Sequence, residues 1–221
     1  MNTYENILEL VIDKTNPRLW AHNHFKLNDR VVSVSDHTIV SVPSDKVESN
    51  TDNNVPVKRL NEIFGIDYPE DLQIPVIKLQ NALNLIPLED EFIEKIEESI
   101  CESCDGSGEV EWSFEEFKRT DECPKCEGSG KSFTGIMVKS GKVIKHYDKY
   151  SIKILNTSFV TERINTLIEI ATLLGVDTIK IECQTDNKVQ YGIAKFKISD
   201  VDIYLMPSRE KLSDRIVSVI K

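Results

Sequence analysis

The apolar positions of this 221-residue chain change period several times, and each change marks an element. Thr3 can cap a helix from Tyr4 to about Lys14, with Ile7, Leu8, Val11 and Ile12 on one side and Asn16-Pro17 as its stop. Alternation then takes over. Residues 19–27 read as a strand carrying Trp20, His22 and His24 on one face. Strands at 30–34 and 38–42 follow, across turns at Asn28-Asp29 and Ser35-Asp36. Residues 43–56 are polar and read as a loop. Val57, Leu60, Ile63 and Phe64 predict a short helix ended by Gly65, and Val76, Leu79, Leu83 and Ile86 predict another between Pro75 and Pro87. In the acidic run 89–98, Phe92, Ile93 and Ile96, with Ile100 beyond it, keep helical spacing, which predicts a helix with its glutamates in water.

Past residue 130, strands are expected at 135–139, 142–146 and 150–155, with Ser140-Gly141 as a turn. A helix over 159–174 carries Val160, Ile164, Leu167, Ile168, Ala171 and Leu174 on one face. Asn156-Thr157-Ser158 offer its caps and Gly175 ends it. Three more strands are expected at 178–183, 189–196 and 201–206, the first pair turned by Asp186-Asn187. Pro207 ends that sheet, and an amphipathic tail closes the chain through Leu212, Ile216, Val217 and Ile220. These elements predict an α+β body: an antiparallel sheet with packed helices.

One stretch follows neither period. Cys101-Glu102-Ser103-Cys104-Asp105-Gly106-Ser107-Gly108 is answered by Cys123-Pro124-Lys125-Cys126-Glu127-Gly128-Ser129-Gly130, so C-x-x-C-x-G-x-G occurs twice. Two residues between thiolates let one tight turn offer both sulfurs to a single cation. Two such turns supply the Cys101, Cys104, Cys123 and Cys126 ligands of one tetrahedral Zn²⁺ per chain. Between them, Val110, Trp112 and Phe114 alternate as a strand does, which predicts a hairpin with the knuckles at its base. Trp112, Phe114 and Phe117 are too many aromatics for so small a module to bury alone. They pack on the main body, the favoured expectation, or stay exposed as a partner-binding surface. The expected division is 1–100 and 131–221 as two parts of one body, with 101–130 as an insertion.

The doubled motif resembles the DnaJ-type cysteine-rich zinc finger at every fixed position. That family's chaperones carry four repeats and two zinc sites, whereas two repeats here imply one site. No His-Pro-Asp tripeptide of a J-domain occurs, so the resemblance implies a metal site without co-chaperone activity. A second resemblance lies in the flanks. The strand ending Asp202-Ile203-Tyr204-Leu205-Met206-Pro207-Ser208-Arg209 is similar to the close of a bacterial-type DNA sliding-clamp subunit, where an apolar strand leads to Met-Pro-x-Arg. Residues 31–40 are similar to a clamp strand pair around an Asp-containing turn. This resemblance implies a clamp-like body that must form a homo-oligomer before it could encircle anything.

Charge weighs against the DNA half of that implication. Net charge is −10 with a pI near 5.0. Glu5, Glu9 and Asp13 on the first helix, and Glu162 and Glu169 on the later one, are the wrong sign for a phosphate-facing lining. Duplex DNA is therefore not an expected ligand of the monomer, and a protein partner is. No apolar run is long enough to span a bilayer, and no signal-peptide pattern opens the chain. Four zinc-bound thiolates favour a reducing, cytoplasmic setting, with Cys183 left as a buried inert thiol.

No phosphate loop or nucleophile elbow occurs. His22-x-His24 reads as polar residues on a strand surface, and Asp36-His37 as a turn dipeptide. The expectation is a non-enzymatic zinc-binding protein whose finger meets another macromolecule. The alternatives are a clamp-like factor in replication or recombination and a thiol oxidoreductase. The last is disfavoured because a closed Cys₄ shell leaves no free thiolate.

Overall fold

The structure, a computed structural model, describes residues 2–48, 55–66, 70–183, 193–208 and 215–220. The turn expected at Asp186-Asn187, Arg209 and Leu212 lie outside these residues, as does the side chain of Cys183. The chain divides into two compact units. Met1–Pro87 with His146–Lys221 forms the body, and Leu88–Lys145 the cysteine unit. The segment 101–130 thus lies within a unit that also takes in 88–100 and 131–145.

In the body, seven strands form one antiparallel sheet: β1 (Phe25–Leu27), β2 (Arg30–Val34), β3 (Thr38–Pro43), β4 (Glu70–Pro75), β11 (Thr178–Cys183), β12 (Ala194–Ile198) and β13 (Val201–Leu205). Their order across the sheet is β1-β2-β3-β13-β12-β11-β4. Alternation along β3 shows why the sheet is two-faced. Val40 and Val42 enter a large core shared with the helices, while Ile39 enters a smaller cluster on the other side. The larger core also takes the apolar faces of α1 (Thr3–Glu9), α3 (Val76–Asn84) and α4 (Thr161–Leu174). It further receives Ile152, Ile154, Phe159 and Ile220 from a second sheet of β9 (Ser151–Ile154), β10 (Thr157–Val160) and β14 (Ile216–Ile220). The smaller cluster gathers Phe25, Val32, Leu60, Ile63 and Tyr204 beneath α2 (Val57–Phe64). The α+β class and the antiparallel sheet are as expected.

Several elements differ from expectation for local reasons. The first helix is capped by Asn2, whose side chain accepts from the backbone N–H of Glu5, and stops at Glu9 instead of Lys14. Asp13 draws the chain into a turn, accepting from both the backbone and the hydroxyl of Thr15. Residues 19–22 form a 3₁₀ turn, so His22 and His24 do not line one strand. Of the residues expected to cap α4, Thr157 and Ser158 instead enter β10, paired with β9, while Asn156 lies in the turn before it, and α4 begins at Thr161. Gly175, at φ 66°, ends that helix as expected. The tail is a strand, β14, laid parallel on β9.

The largest correction lies in the cysteine unit. Leu88–Ile100 is not a helix but a strand, β5, paired antiparallel with β8 (Lys131–Lys145). Phe92, Ile96 and Ile100 are four apart, and four is both near one helical turn and a whole number of strand repeats. Their spacing alone does not separate the two. The β8 partner does, because Lys131 and Lys139 reach Glu98 and Asp90 across the ribbon at 2.7 and 2.6 Å. Ser140-Gly141 is not a turn between two strands but part of a bulge within β8, where Gly141 takes φ 84°.

Candidate metal centre

The second unit closes on four sulfurs. β5 runs directly into Cys101 and β8 leaves directly from Gly130, and the ladder extends one bond further, from the Cys101 N–H to the Gly130 carbonyl at 3.0 Å. At the other end a hairpin of β6 (Glu109–Phe114) and β7 (Phe117–Glu122) is closed the same way, by the Cys123 N–H donating to Gly108 at 2.8 Å. The two knuckles therefore cross-link two ribbons.

Each knuckle repeats the other's geometry. The N–H groups of Cys104 and Cys126 turn back onto the carbonyls of Cys101 and Cys123, both at 3.3 Å. Asp105 and Glu127 then both adopt φ 49°. The hydroxyls of Ser107 and Ser129 donate to the Cys104 and Cys126 carbonyls at 2.7 and 2.6 Å. Gly108 and Gly130 cannot be replaced within this geometry. A Cβ on Gly108 would lie 2.3 Å from the Gly128 oxygen, and one on Gly130 would lie 2.3 Å from the Gly106 oxygen. The eight-residue repeat is thus a folding instruction as well as a ligand set.

The four Sγ atoms lie within 4.8 Å of one another. The shortest separations cross between motifs, Cys101 to Cys123 at 3.9 Å and Cys104 to Cys126 at 3.7 Å. A tetrahedron with Zn–S bonds of about 2.3 Å has sulfur–sulfur edges of about 3.8 Å. The Gly108 and Gly130 N–H groups point at the Cys104 and Cys126 sulfurs, each at 3.3 Å, as donors to negative thiolates do. All four residues are at least nine-tenths buried and form an apolar cluster with Val110 packed on it. The donor set, the spacing and the N–H donors fit a soft divalent cation. As free thiols they differ: the Ser103 backbone hydrogen bond leads in lowering Cys101 to about 7, and burial leads in raising Cys126 to about 11. A cation shared by all four would hold both as thiolates.

Trp112, Phe114 and Phe117 share one face of the β6/β7 hairpin, where Phe114 pairs with Phe117 and Trp112 with Arg119. All three are exposed. Of the other residues singled out, His22 bonds the Asn16 carbonyl through Nε2 at 2.6 Å. Asp36 accepts from Arg18 and Asn16, both at 3.0 Å, which ties up the carboxylate beside His37. Sequence reading missed a cleft of about 600 Å³ in the body, lined among others by Trp20, His37, Arg59, Ile63, Tyr204 and Met206. Its walls come from segments far apart in the chain, so no local motif announces it.

No protein-family model matches the chain, and no characterised protein matches it by sequence. Solved structures similar to it include the Helicobacter pylori beta clamp bound to a DNA ligase peptide (TM-score 0.48, 10% identity, covering 94% of this chain and 62% of that one). A C. crescentus beta sliding clamp follows at TM-score 0.46 and 11% identity, covering 95% and 65%. The DNA polymerase III beta subunit of Thermotoga maritima is similar at 0.45 and 10%, covering 95% and 64%. The chain spans less than two thirds of the length of each of these clamps.

Proposed function

We propose that this chain is a non-enzymatic protein that holds one Zn²⁺ through Cys101, Cys104, Cys123 and Cys126, in a DnaJ-type finger that contacts another macromolecule, chiefly a protein. The observation that carries this reading is the four-sulfur cluster, whose closest edges of 3.7 and 3.9 Å match a zinc tetrahedron. Zinc would be structural there, since four thiolates fill its coordination shell. Trp112, Phe114 and Phe117, 58–77% exposed on one hairpin face, are the contact surface in this reading. Aromatic side chains beside an arginine are the residue types that dominate interface energetics. Duplex DNA is not a ligand of the monomer, given a net charge of −10 and carboxylates at Glu5, Glu9, Glu162 and Glu169 along α1 and α4. A reducing, cytoplasmic setting suits the thiolates. A thiol oxidoreductase is the weaker account, because the shortest sulfur pairs lie between the motifs and not within either C-x-x-C.

The test is elemental analysis of purified protein together with capture of partners by the intact chain and by Trp112→Ala. About one zinc per chain is expected, with capture lost in the variant and zinc content unchanged. A folded protein that holds no metal and retains four titratable thiols would sink the zinc reading.

A second reading is a clamp-like factor in replication or recombination that works through protein contacts. The cleft of about 600 Å³ favours it. Its mixed lining of Trp20, Ile63, Tyr204 and Met206 with Arg59 and His37 suits a short apolar peptide segment carrying a polar anchor.

A further inference from the structure

Residues opposite one another in an antiparallel ribbon share a face. The register of β5 and β8 pairs Phe92 with Lys139, Glu94 with Met137, Ile96 with Gly135, Glu98 with Phe133 and Ile100 with Lys131. One face therefore carries Phe92, Ile96, Ile100, Phe133 and Met137, and these five are 51–69% exposed. A two-stranded ribbon is marginal in water unless something covers a face of it. The apolar area left open is on the order of 600 Å², given that such side chains carry roughly 150–250 Å² each. That lies at the upper end of what a monomer shows and approaches the roughly 800 Å² that each partner gives to a standard interface.

The charges on this face select its occupant. The acids, Asp90, Glu94 and Glu98, stand on β5 and the bases, Lys131 and Lys139, on β8, where Lys131 meets Glu98 at 2.7 Å and Lys139 meets Asp90 at 2.6 Å across the ribbon. A partner of single sign would suit one strand and repel the other. A second copy turned about an axis parallel to the strands lays its β8 over this β5 and its β5 over this β8. Glu94 and Glu98 of each copy then lie over Met137 and Phe133 of the other, one step along β8 from Lys139 and Lys131. An axis across the strands would instead set Glu94 over Glu98 and lysine over lysine. We propose that the chain self-associates through this face as an isologous dimer, β5 of each copy stacked on β8 of the other. This surface is separate from the Trp112 hairpin face.

The test is sedimentation equilibrium on the full, zinc-loaded chain and on two charge variants. Asp90→Lys with Glu94→Lys and Glu98→Lys turns this stretch of the face basic, and Lys131→Glu with Lys139→Glu turns it acidic. The unaltered chain should be dimeric. Each variant should be monomeric, with its dissociation constant raised at least about tenfold. An equimolar mixture of the two variants should recover a 1:1 dimer, which also shows that both are folded. A chain that stays monomeric at about 100 µM overturns the proposal. So do variants that remain dimeric alone, or a mixture that does not associate.

Discussion

In the body, Phe159 and Phe196 meet edge to face with ring centroids 5.5 Å apart, and neither reaches water. In the cysteine unit, Phe114 and Phe117 face each other across a hairpin and both are open to solvent. The body is stabilised in the ordinary way, by removing aliphatic and aromatic surface from water between sheet and helices. In the cysteine unit the buried cluster is the four sulfurs, and the large apolar side chains lie outside it. A segment of this size without an apolar core needs a staple, and the zinc proposed for the four cysteines would supply it. If the proposed zinc is bound, one chain joins a unit held by burial to a unit held by coordination. Each can then be perturbed by a reagent the other ignores.

The largest expected effect comes from removing the proposed zinc. Zinc coordination in small fingers is worth roughly 10 kcal/mol or more, so a strong chelator should unfold residues 88–145 while the body keeps a cooperative thermal transition. The chain's two tryptophans make the measurement direct, because Trp20 lies in the body and Trp112 in the cysteine unit. In single-tryptophan variants, chelation should shift the emission of Trp112 and leave that of Trp20 unchanged. A simultaneous loss of both signals would show that the body depends on the metal too.

The converse experiment is smaller. Phe159→Ala empties a fully buried site beside Phe196, and such truncations cost about 3–5 kcal/mol. Thermal melts read through Trp20 should move down strongly, with zinc content and the Trp112 signal unaltered. Smaller still is Gly108→Ala. Its Cβ would press on the Gly128 carbonyl at a backbone φ of 78°, a strain on the order of 1–3 kcal/mol. Competition with a chromophoric chelator should report weaker metal retention, while the body transition stays in place.

Much of the body was legible from periodicity. α2 spans Val57–Phe64, β2 spans Arg30–Val34 and β11 spans Thr178–Cys183, each as the pattern of apolar positions predicts. Failures came where two periods coincide or where a side chain competes for the backbone. Phe92, Ile96 and Ile100 suited a helix and a strand equally, and Asp13 ended α1 early through Thr15. Asn156-Thr157-Ser158 had the composition of a cap, but Asn156 turns the chain from β9 and Thr157 and Ser158 pair with it.

The cysteine cluster was readable because its determinants are local. Two residues between thiols define a turn, and glycines at fixed offsets supply the left-handed positions that the turn requires. Two copies therefore specify a four-sulfur set before any fold is known. The cleft lined by Trp20, Arg59, Tyr204 and Met206, and the face shared by Ile96 and Phe133, had no such local signature. Both are made by residues far apart in the chain, brought together by strand order and register. Which residues meet is settled by burial and hydrogen bonding across the whole sheet, and a one-residue change of register would turn every side chain to the opposite face.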